Sequence, residues 1–246
     1  MTAPSYESSE LLQQYLLFHY GEAEIQMPWD FGPREALNFP QRCVREGVQL
    51  PATGRALDIG CAVGRATFEF GCIFEEVIGI DYSAAFVEAA QRIAEDGQLN
   101  YAYQETGTIK KEATARKPEG VTGSVSFEQG DAQDLRPDLG EFDCVLAANL
   151  LCRLAQPQDF LDRLPSLVKP GGQLIITTPN TWLENFTARE FWIGATPETG
   201  EPLEALQDRL RASFQLVHSW DLPFLIREHC RKYQWSVAQG SRWLRI

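Results

Sequence analysis

Positive charge is scarce in this 246-residue chain: 22 lysines and arginines stand against 34 aspartates and glutamates, for a formal net charge of -12. Nucleic acids are bound through clustered Lys and Arg that release counterions from phosphates, so this balance argues against such a partner and favours a small or zwitterionic ligand. Otherwise the acidity simply serves solubility. No stretch approaches the ~20 apolar residues that span a bilayer, and the opening MTAPSYESSE has no basic segment followed by an apolar one. A cytoplasmic protein without a membrane anchor is the expectation. Cysteines are few and scattered: Cys43, Cys61, Cys72, Cys144, Cys152 and Cys230 form no CxxC pair and no His-Cys spacing suited to zinc. Reduced thiols and no metal site follow.

What is present is enough apolar residue, 44% of the chain, for one continuous core. A single domain over 1–246 is expected, with a helical cap over 1–50 and an insertion at 97–123. Residues 8–20 (SELLQQYLLFHY with its preceding serine) carry apolar residues at helical spacing and end at Gly21, a candidate left-handed helix stop. A second helix is predicted from Pro33 to about Glu46, disturbed at Pro40.

From Arg55 the pattern changes to short β-branched runs alternating with amphipathic helices, which predicts a parallel sheet with right-handed crossovers. Strands are expected at 55–59, 76–80, 124–128, 142–147 and 173–178, and helices at 64–71, 83–96 and 157–168, with Lys169-Pro170-Gly171-Gly172 turning into the fifth strand. Strands at 214–219 and 234–244 around a helix at 224–231 close the chain as an antiparallel edge. The insertion alternates Tyr101, Tyr103, Thr106 and Thr108 like a strand, and serves either as a lid or, more in keeping with its charges, as a surface or oligomer element.

The sequence also lacks the G-x-G-x-x-G of dinucleotide sites. After the first strand comes Asp58-Ile59-Gly60-Cys61-Ala62-Val63-Gly64, where the glycines let the backbone pass close to a ligand and an acid precedes the loop. An acid there suits a ligand with an amino group and a sulfonium better than one with phosphates. Asp81 ends the second strand, where a carboxylate can accept from two ribose hydroxyls, and Tyr82 can lie against adenine. The third strand ends in Gln129-Gly130-Asp131-Ala132, placing Asp131 for the adenine amine and the Ala132 N–H for a ring nitrogen. The fourth leads into Ala148-Asn149-Leu150-Leu151-Cys152-Arg153, where Asn149 can hold the cofactor or an incoming nucleophile, or cap the local backbone.

Each element alone is weak, but glycine loop, two acids and KPGG turn each fall at the end of the appropriate strand. Together they resemble the Rossmann-like S-adenosylmethionine-dependent methyltransferases over roughly residues 55–178. The resemblance implies an α/β fold with a seven-stranded, mostly parallel sheet in the order 3-2-1-4-5-7-6, the last strand antiparallel, with helices on both faces. It implies S-adenosylmethionine as cofactor, with Asp58, Gly60, Cys61, Ala62 and Gly64 near the methionine part, Asp81 and Tyr82 at the nucleoside, and Asp131 and Ala132 at the adenine. The departure is Cys61-Ala62, where many members carry another glycine. No N-P-P-Y or D-P-P-Y follows the fourth strand, which again favours a small-molecule acceptor.

A narrower likeness runs through YLLFHYG (15–21), PWDFGPREALNFPQRCV (28–44), the insertion, FEQGDAQDL (127–135) and REHCRKYQW (227–235). These segments resemble the 5-thiohistidine N-methyltransferase of ovothiol biosynthesis. The implied reaction is methyl transfer to the imidazole π-nitrogen of 5-thiohistidine. With no synthase module ahead of it in the sequence, the chain is expected to act on the product of a partner sulfoxide synthase. Candidate orienting residues are Arg42 as a carboxylate clamp, Tyr20, Asp30 and Asn38 as the pocket cover, and His229 as an imidazole partner or proton acceptor. Trp192 and Trp235 are candidates for apolar walls or for the core, and Cys61 or Cys152 for the neighbourhood of the substrate sulfur.

Overall fold

The computed structural model describes residues 7–49 and 53–246, so residues 1–6 and 50 of the expected cap lie outside the described residues. Strands β1 (Arg55–Ile59), β2 (Glu76–Asp81), β5 (Ser124–Gln129), β6 (Phe142–Ala148), β7 (Val168–Thr178), β8 (Phe214–His229) and β9 (Lys232–Arg245) form one sheet, while β3 (Gln98–Thr106) and β4 (Ile109–Arg116) pair separately as a hairpin. The sheet order β5-β2-β1-β6-β7-β9-β8 is 3-2-1-4-5-7-6 when the main-sheet strands are counted in chain order. The first five are parallel, and β9 is antiparallel to both β7 and β8. This is the Rossmann-like methyltransferase arrangement.

Parallel strands need both faces covered, and the burial of successive residues shows that they are. On one face Leu57, Ile59, Val145 and Ile176 pack with Phe160 and Leu161 of α6 (Pro157–Arg163) and Leu206 and Leu210 of α7 (Pro202–Leu210). On the other, Ala56, Cys144, Leu146 and Ile175 meet Cys43 and Val44 of α3 (Phe39–Gly47) and Ala66 and Phe70 of α4 (Arg65–Gly71). A third cluster joins α5 (Ala84–Asp96), α1 (Ser9–Tyr20) and the hairpin through Phe86, Ile93, Leu16, Leu17, Tyr101 and Tyr103. Side-chain caps start the two longest helices: the Ser8 hydroxyl accepts from Leu11 N–H and the Ser83 hydroxyl from Phe86 N–H.

Several local expectations are corrected. Gly21 does end α1, but in extended rather than left-handed backbone; an added Cβ would lie 2.6 Å from the Leu17 carbonyl oxygen, so glycine is needed for close approach. The helix expected from Pro33 is a short 3-10 turn (Arg34–Ala36) followed by a break at Asn38, which takes a left-handed φ of 57°. Helix α3 then begins at Phe39 with Pro40 in its first turn, where no backbone N–H is required. The helix expected at 224–231 is the end of β8 and the turn beyond it. Phe224 packs with Phe18 and Phe39 while its neighbour Leu225 joins Met27 and Leu37, so both faces are covered and the two-residue periodicity that marks a strand is erased. Helix α6 stops at Arg163, and Val168 already belongs to β7, which runs through the KPGG segment. Helix α7 is an element beyond those expected, although Pro202 at its start and the helical spacing of Leu203, Leu206 and Leu210 mark it in the sequence.

The hairpin at 98–116 does not line the cavity described below. It braces α1, and it is clamped by Arg227 of β8, whose buried guanidinium donates to the Glu105 carboxylate and to the Ile25 carbonyl of α2 (Ala23–Gln26) and lies 5.1 Å from the Tyr103 ring centre. Replacing Arg227 by leucine leaves the Ile25 carbonyl without its donor and Glu105 with Lys111 alone. The expected cost is about 2 kcal/mol in urea unfolding, with faster amide exchange concentrated in β3 and β4; unchanged exchange there would contradict the bracing role.

Candidate active site

A cavity of about 440 Å³ opens at the carboxyl edge of the sheet, where β1, β2, β5 and β6 end side by side. At the end of β1, Asp58 is buried and its Oδ2 accepts from the Thr67 hydroxyl at 2.7 Å. The chain then turns through Gly60 (φ 77°) and Ala62 (φ 48°). The N–H groups of Gly60 and Cys61 both donate to the Ile80 carbonyl, at 2.8 and 3.0 Å, which ties the loop to β2. Asp81 finishes the tie: its Oδ2 accepts from Ala62 N–H at 2.8 Å and its Oδ1 from Ser83 N–H at 2.9 Å. Each carboxylate oxygen has a lone pair left for a diol.

At the end of β5, Asp131 Oδ1 accepts from Gln133 N–H at 2.9 Å. At the end of β6, Asn149 adopts a left-handed φ of 52° and is fixed by Thr177, whose carbonyl accepts from Asn149 N–H at 2.8 Å and whose hydroxyl donates to Asn149 Oδ1 at 3.1 Å. The side-chain nitrogen of Asn149 has no partner among the described residues. The remaining wall comes from Tyr15 and His19 on α1, Phe39 and Pro40 on α3, and Asn185 and Phe186 in the loop after β7. Arg153 joins these parts, donating to the carbonyls of Cys152 and Thr181, both at 3.0 Å, with its guanidinium 5.0 Å from the Phe186 ring centre.

The structure brings together Asp58, Gly60, Cys61, Ala62, Asp81, Tyr82, Asp131, Ala132 and Asn149 around the cavity. Other expected site residues lie away from it. Gly64 sits behind the loop, where an added Cβ would be 2.6 Å from the Phe127 ring, so it serves helix-to-sheet packing. Tyr20 donates to the Val63 carbonyl at 2.7 Å and steadies the loop from outside. Arg42 staples α3 to β8, donating to the carbonyls of Glu35 and Pro223 and pairing with Glu46. Asp30 is fully exposed beside Arg34, and Asn38 is the exposed residue at the break before α3. His229 is at the β8–β9 turn, where its Nδ1 accepts from Arg231 N–H. Trp192 packs against the core, Trp235 is exposed on β9, and neither lines the cavity. Cys152 is buried beneath Arg153 and also lies off the wall.

Sequence reasoning missed Tyr15, His19, Phe39, Arg153, Asn185 and Phe186. The four-residue spacing of Tyr15 and His19 on one helical face was an available signal. Asn185 and Phe186 lie on an irregular loop whose path no periodicity encodes.

The electrostatics suit a cation. Burial pushes the Asp58 carboxyl up to about 7 against the opposing pull of the Thr67 hydrogen bond, and burial also raises Asp81. Negative charge is thus held at a cost that a nearby positive group relieves. Burial, reinforced by the Arg65 charge, pulls His19 down to about 3, so its ring is neutral. A half-buried carboxylate with lone pairs free for a diol, an acid at the next strand end and acids that favour a cation fit a nucleoside joined to a sulfonium amino acid.

The family model of the methyltransferase domain matches residues 29–236, and the chain belongs to this family. Its cofactor is S-adenosylmethionine. Ubiquinone biosynthesis O-methyltransferases of Bradyrhizobium sp. (strain ORS 278) and Coxiella burnetii (strain RSA 493) are 28% and 30% identical over 132 and 144 residues, 54% and 57% of this chain. These matches cover 42% and 49% of those proteins, so the chain spans less than half the length of the curated relatives it matches. Among solved structures, a SAM-dependent methyltransferase from Methanosarcina mazei superposes with a TM-score of 0.57 at 16% identity, over 82% of this chain and 96% of that one. The N-methyltransferase NodS from Bradyrhizobium japonicum WM9, in complex with S-adenosyl-L-homocysteine, gives 0.53 at 16% identity, over 95% and 98%. At such identities the likeness is one of fold.

Asp81→Ala should weaken S-adenosylhomocysteine binding by roughly 10- to 100-fold in calorimetry, because a diol acceptor and the tie to the loop go together. Asp58 also predicts a pH signature. Its pKa is raised from 3.8 in the unfolded chain to about 7, so the folded protein holds an extra proton between those values. The contribution of this group is therefore complete below pH ~4 and is lost as pH rises through ~7. Asp58→Asn should flatten that part of the stability curve of the ligand-free protein. Near pH 7, S-adenosylmethionine binding to the wild type should release protons, read as a dependence of binding enthalpy on the buffer; a buffer-independent enthalpy would remove Asp58 from the cation's surroundings.

Proposed function

We propose that the chain transfers the methyl group of S-adenosylmethionine to the imidazole π-nitrogen of 5-thiohistidine, giving ovothiol A. The observation that supports this reading most is the origin of the wall. The segments YLLFHYG and PWDFGPREALNFPQRCV, on which the narrow resemblance rests, contribute Tyr15, His19, Phe39 and Pro40 to the same cavity that the glycine loop lines. A volume of about 440 Å³ falls in the range of small-molecule sites.

S-adenosylmethionine supplies an electrophilic methyl group on a sulfonium. Asp81 would hold the ribose hydroxyls, Asp131 and the Ala132 N–H the adenine edge, and Asp58 with the loop amides the charged methionine end. Asn149, fixed by Thr177, would steady the cofactor or acceptor through its side-chain amide. Aromatic rings of Tyr15, Phe39 and Phe186 exclude water from the acceptor space. Displacement at a methyl group asks little of acid-base chemistry, so holding the nucleophile on the methyl axis accounts for most of the catalysis. The same reading demands selectivity, since the substrate's own thiolate is a strong nucleophile. Burial pushes the Cys61 thiol well up, so it stays protonated and does not compete for the methyl group. Functional coupling to a sulfoxide synthase that supplies the thiohistidine belongs to this proposal.

A second reading keeps the class and changes the acceptor. It is favoured by the relatives named as ubiquinone biosynthesis O-methyltransferases, which would point to a small hydroxyl-bearing acceptor. Purified protein with methyl-labelled S-adenosylmethionine separates the two. Label on a ring nitrogen of 5-thiohistidine is expected, whereas label on phenolic hydroxyls and none on thiohistidine would establish the second reading instead.

A further inference from the structure

We propose that Arg153 receives the carboxylate of the methyl acceptor, so that the cavity takes an anionic, amino-acid-like molecule held by its acid group. The inference rests on the preceding reading of the cavity as a site for S-adenosylmethionine and an amino-acid acceptor, and assigns to one residue the recognition of the end that does not react.

The cavity wall carries three carboxylates, Asp58, Asp81 and Asp131, and a single arginine, Arg153. Such a wall draws in a sulfonium and repels an anion, so an acceptor with a carboxylate needs a cation placed for it. No carboxylate among the described residues occupies Arg153, and all of its hydrogen bonds leave from Nη1, to the carbonyls of Cys152 and Thr181 and to Cys152 Sγ at 3.3 Å. These bonds, with the Phe186 ring centre 5.0 Å from the guanidinium, fix the half-buried group in place. Nε and Nη2 have no partner among the described residues, and neither is sealed from solvent. Their N–H bonds run parallel along one edge of the planar group, which is the geometry of a two-oxygen contact with a carboxylate. Anchored at one corner and open along the other edge, Arg153 is a receptor formed before its anion arrives.

Position decides whose carboxylate it is. The strand ends run β5, β2, β1, β6, β7 across the sheet, and Asp131, Asp81 and Asp58 follow the first three, for adenine, ribose and the methionine end in turn. Arg153 comes later in that order: it ends the 3-10 turn Leu151–Arg153 after β6 and bonds to Thr181 in the loop after β7. The cofactor's own carboxylate shares a carbon with its ammonium group, and the acid that favours that cation is Asp58 at the end of β1. The guanidinium thus stands beyond the cofactor's charged end, beside Phe186 on the wall left for the acceptor. A carboxylate held there fixes one end of an amino acid and leaves its side chain to reach the methyl group.

The test offers two acceptors to wild type, Arg153→Gln and Arg153→Lys: 5-thiohistidine, and 5-thiohistamine, which has the same ring and amine but no carboxylate. Wild type should prefer thiohistidine by roughly 10- to 100-fold in kcat/KM. In Arg153→Gln the preference should shrink to within about 3-fold, since the loss falls on the acceptor that has the carboxylate, and S-adenosylhomocysteine affinity should stay within about 3-fold of wild type. Arg153→Lys keeps the charge without the fork and should retain part of the preference. A wild type indifferent to the carboxylate overturns the inference and leaves the proposed function intact. Equal losses on both acceptors in Arg153→Gln overturn it by reducing Arg153 to a brace for the loop after β7, and a fall in S-adenosylhomocysteine affinity overturns it by assigning the guanidinium to the cofactor. Absence of transfer to thiohistidine by the wild type refutes the proposed function first, and the inference with it.

Discussion

The carboxylate of Asp81 is the point on which the site depends. It accepts one N–H from the glycine loop and one from the start of α5, so the end of β1, the end of β2 and the first turn of the following helix are fastened by a single charged group. Hydrogen bonds to a charged acceptor are stronger than those between neutral groups, and here they offset part of the rise that burial imposes on the Asp81 carboxyl. The loop is thereby shaped before any ligand enters. The same acid that would receive the ribose also sets the curve that would receive the methionine end, which makes the nucleoside and sulfonium halves of the cavity one unit.

Much of this half was legible in the sequence because it is written locally. A buried strand, a bend relieved by glycine and an acid at the strand end each leave a signal within a few residues, and parallel topology brings those strand ends to one edge. Gly64 lies off the cavity wall, and in sequence a glycine required for packing against Phe127 looks the same as a glycine required for a ligand. The opposite wall of the cavity was less legible. Its residues come from α1, α3 and the loop after β7, which meet only in three dimensions, and exposed polar residues such as Asp30 and Asn38 carry the same motif weight as the half-buried, cavity-lining His19.

The C-terminal error has the same physical origin seen from the fold's side. A strand covered on both faces loses its alternation, and the apolar run ending β8 then resembles a helix. What covers it is the N-terminal segment, through Phe18 and Phe39 on one face and Met27 and Leu37 on the other. The two ends of the described chain are thus packed into each other, and the hairpin between α5 and β5 adds a third support through Arg227 and the tyrosines of β3.

One hydrogen bond gives this arrangement a consequence for how the protein can diversify. Tyr20 follows His19 in α1 and donates to the Val63 carbonyl inside the glycine loop. The wall that α1 gives the cavity is consequently pinned to the glycine loop, and swinging the helix to admit a larger molecule would pull that loop out of shape. In a scaffold built this way, a new acceptor preference is reached by exchanging side chains at positions 15, 19 and 39, with the backbone left where it stands.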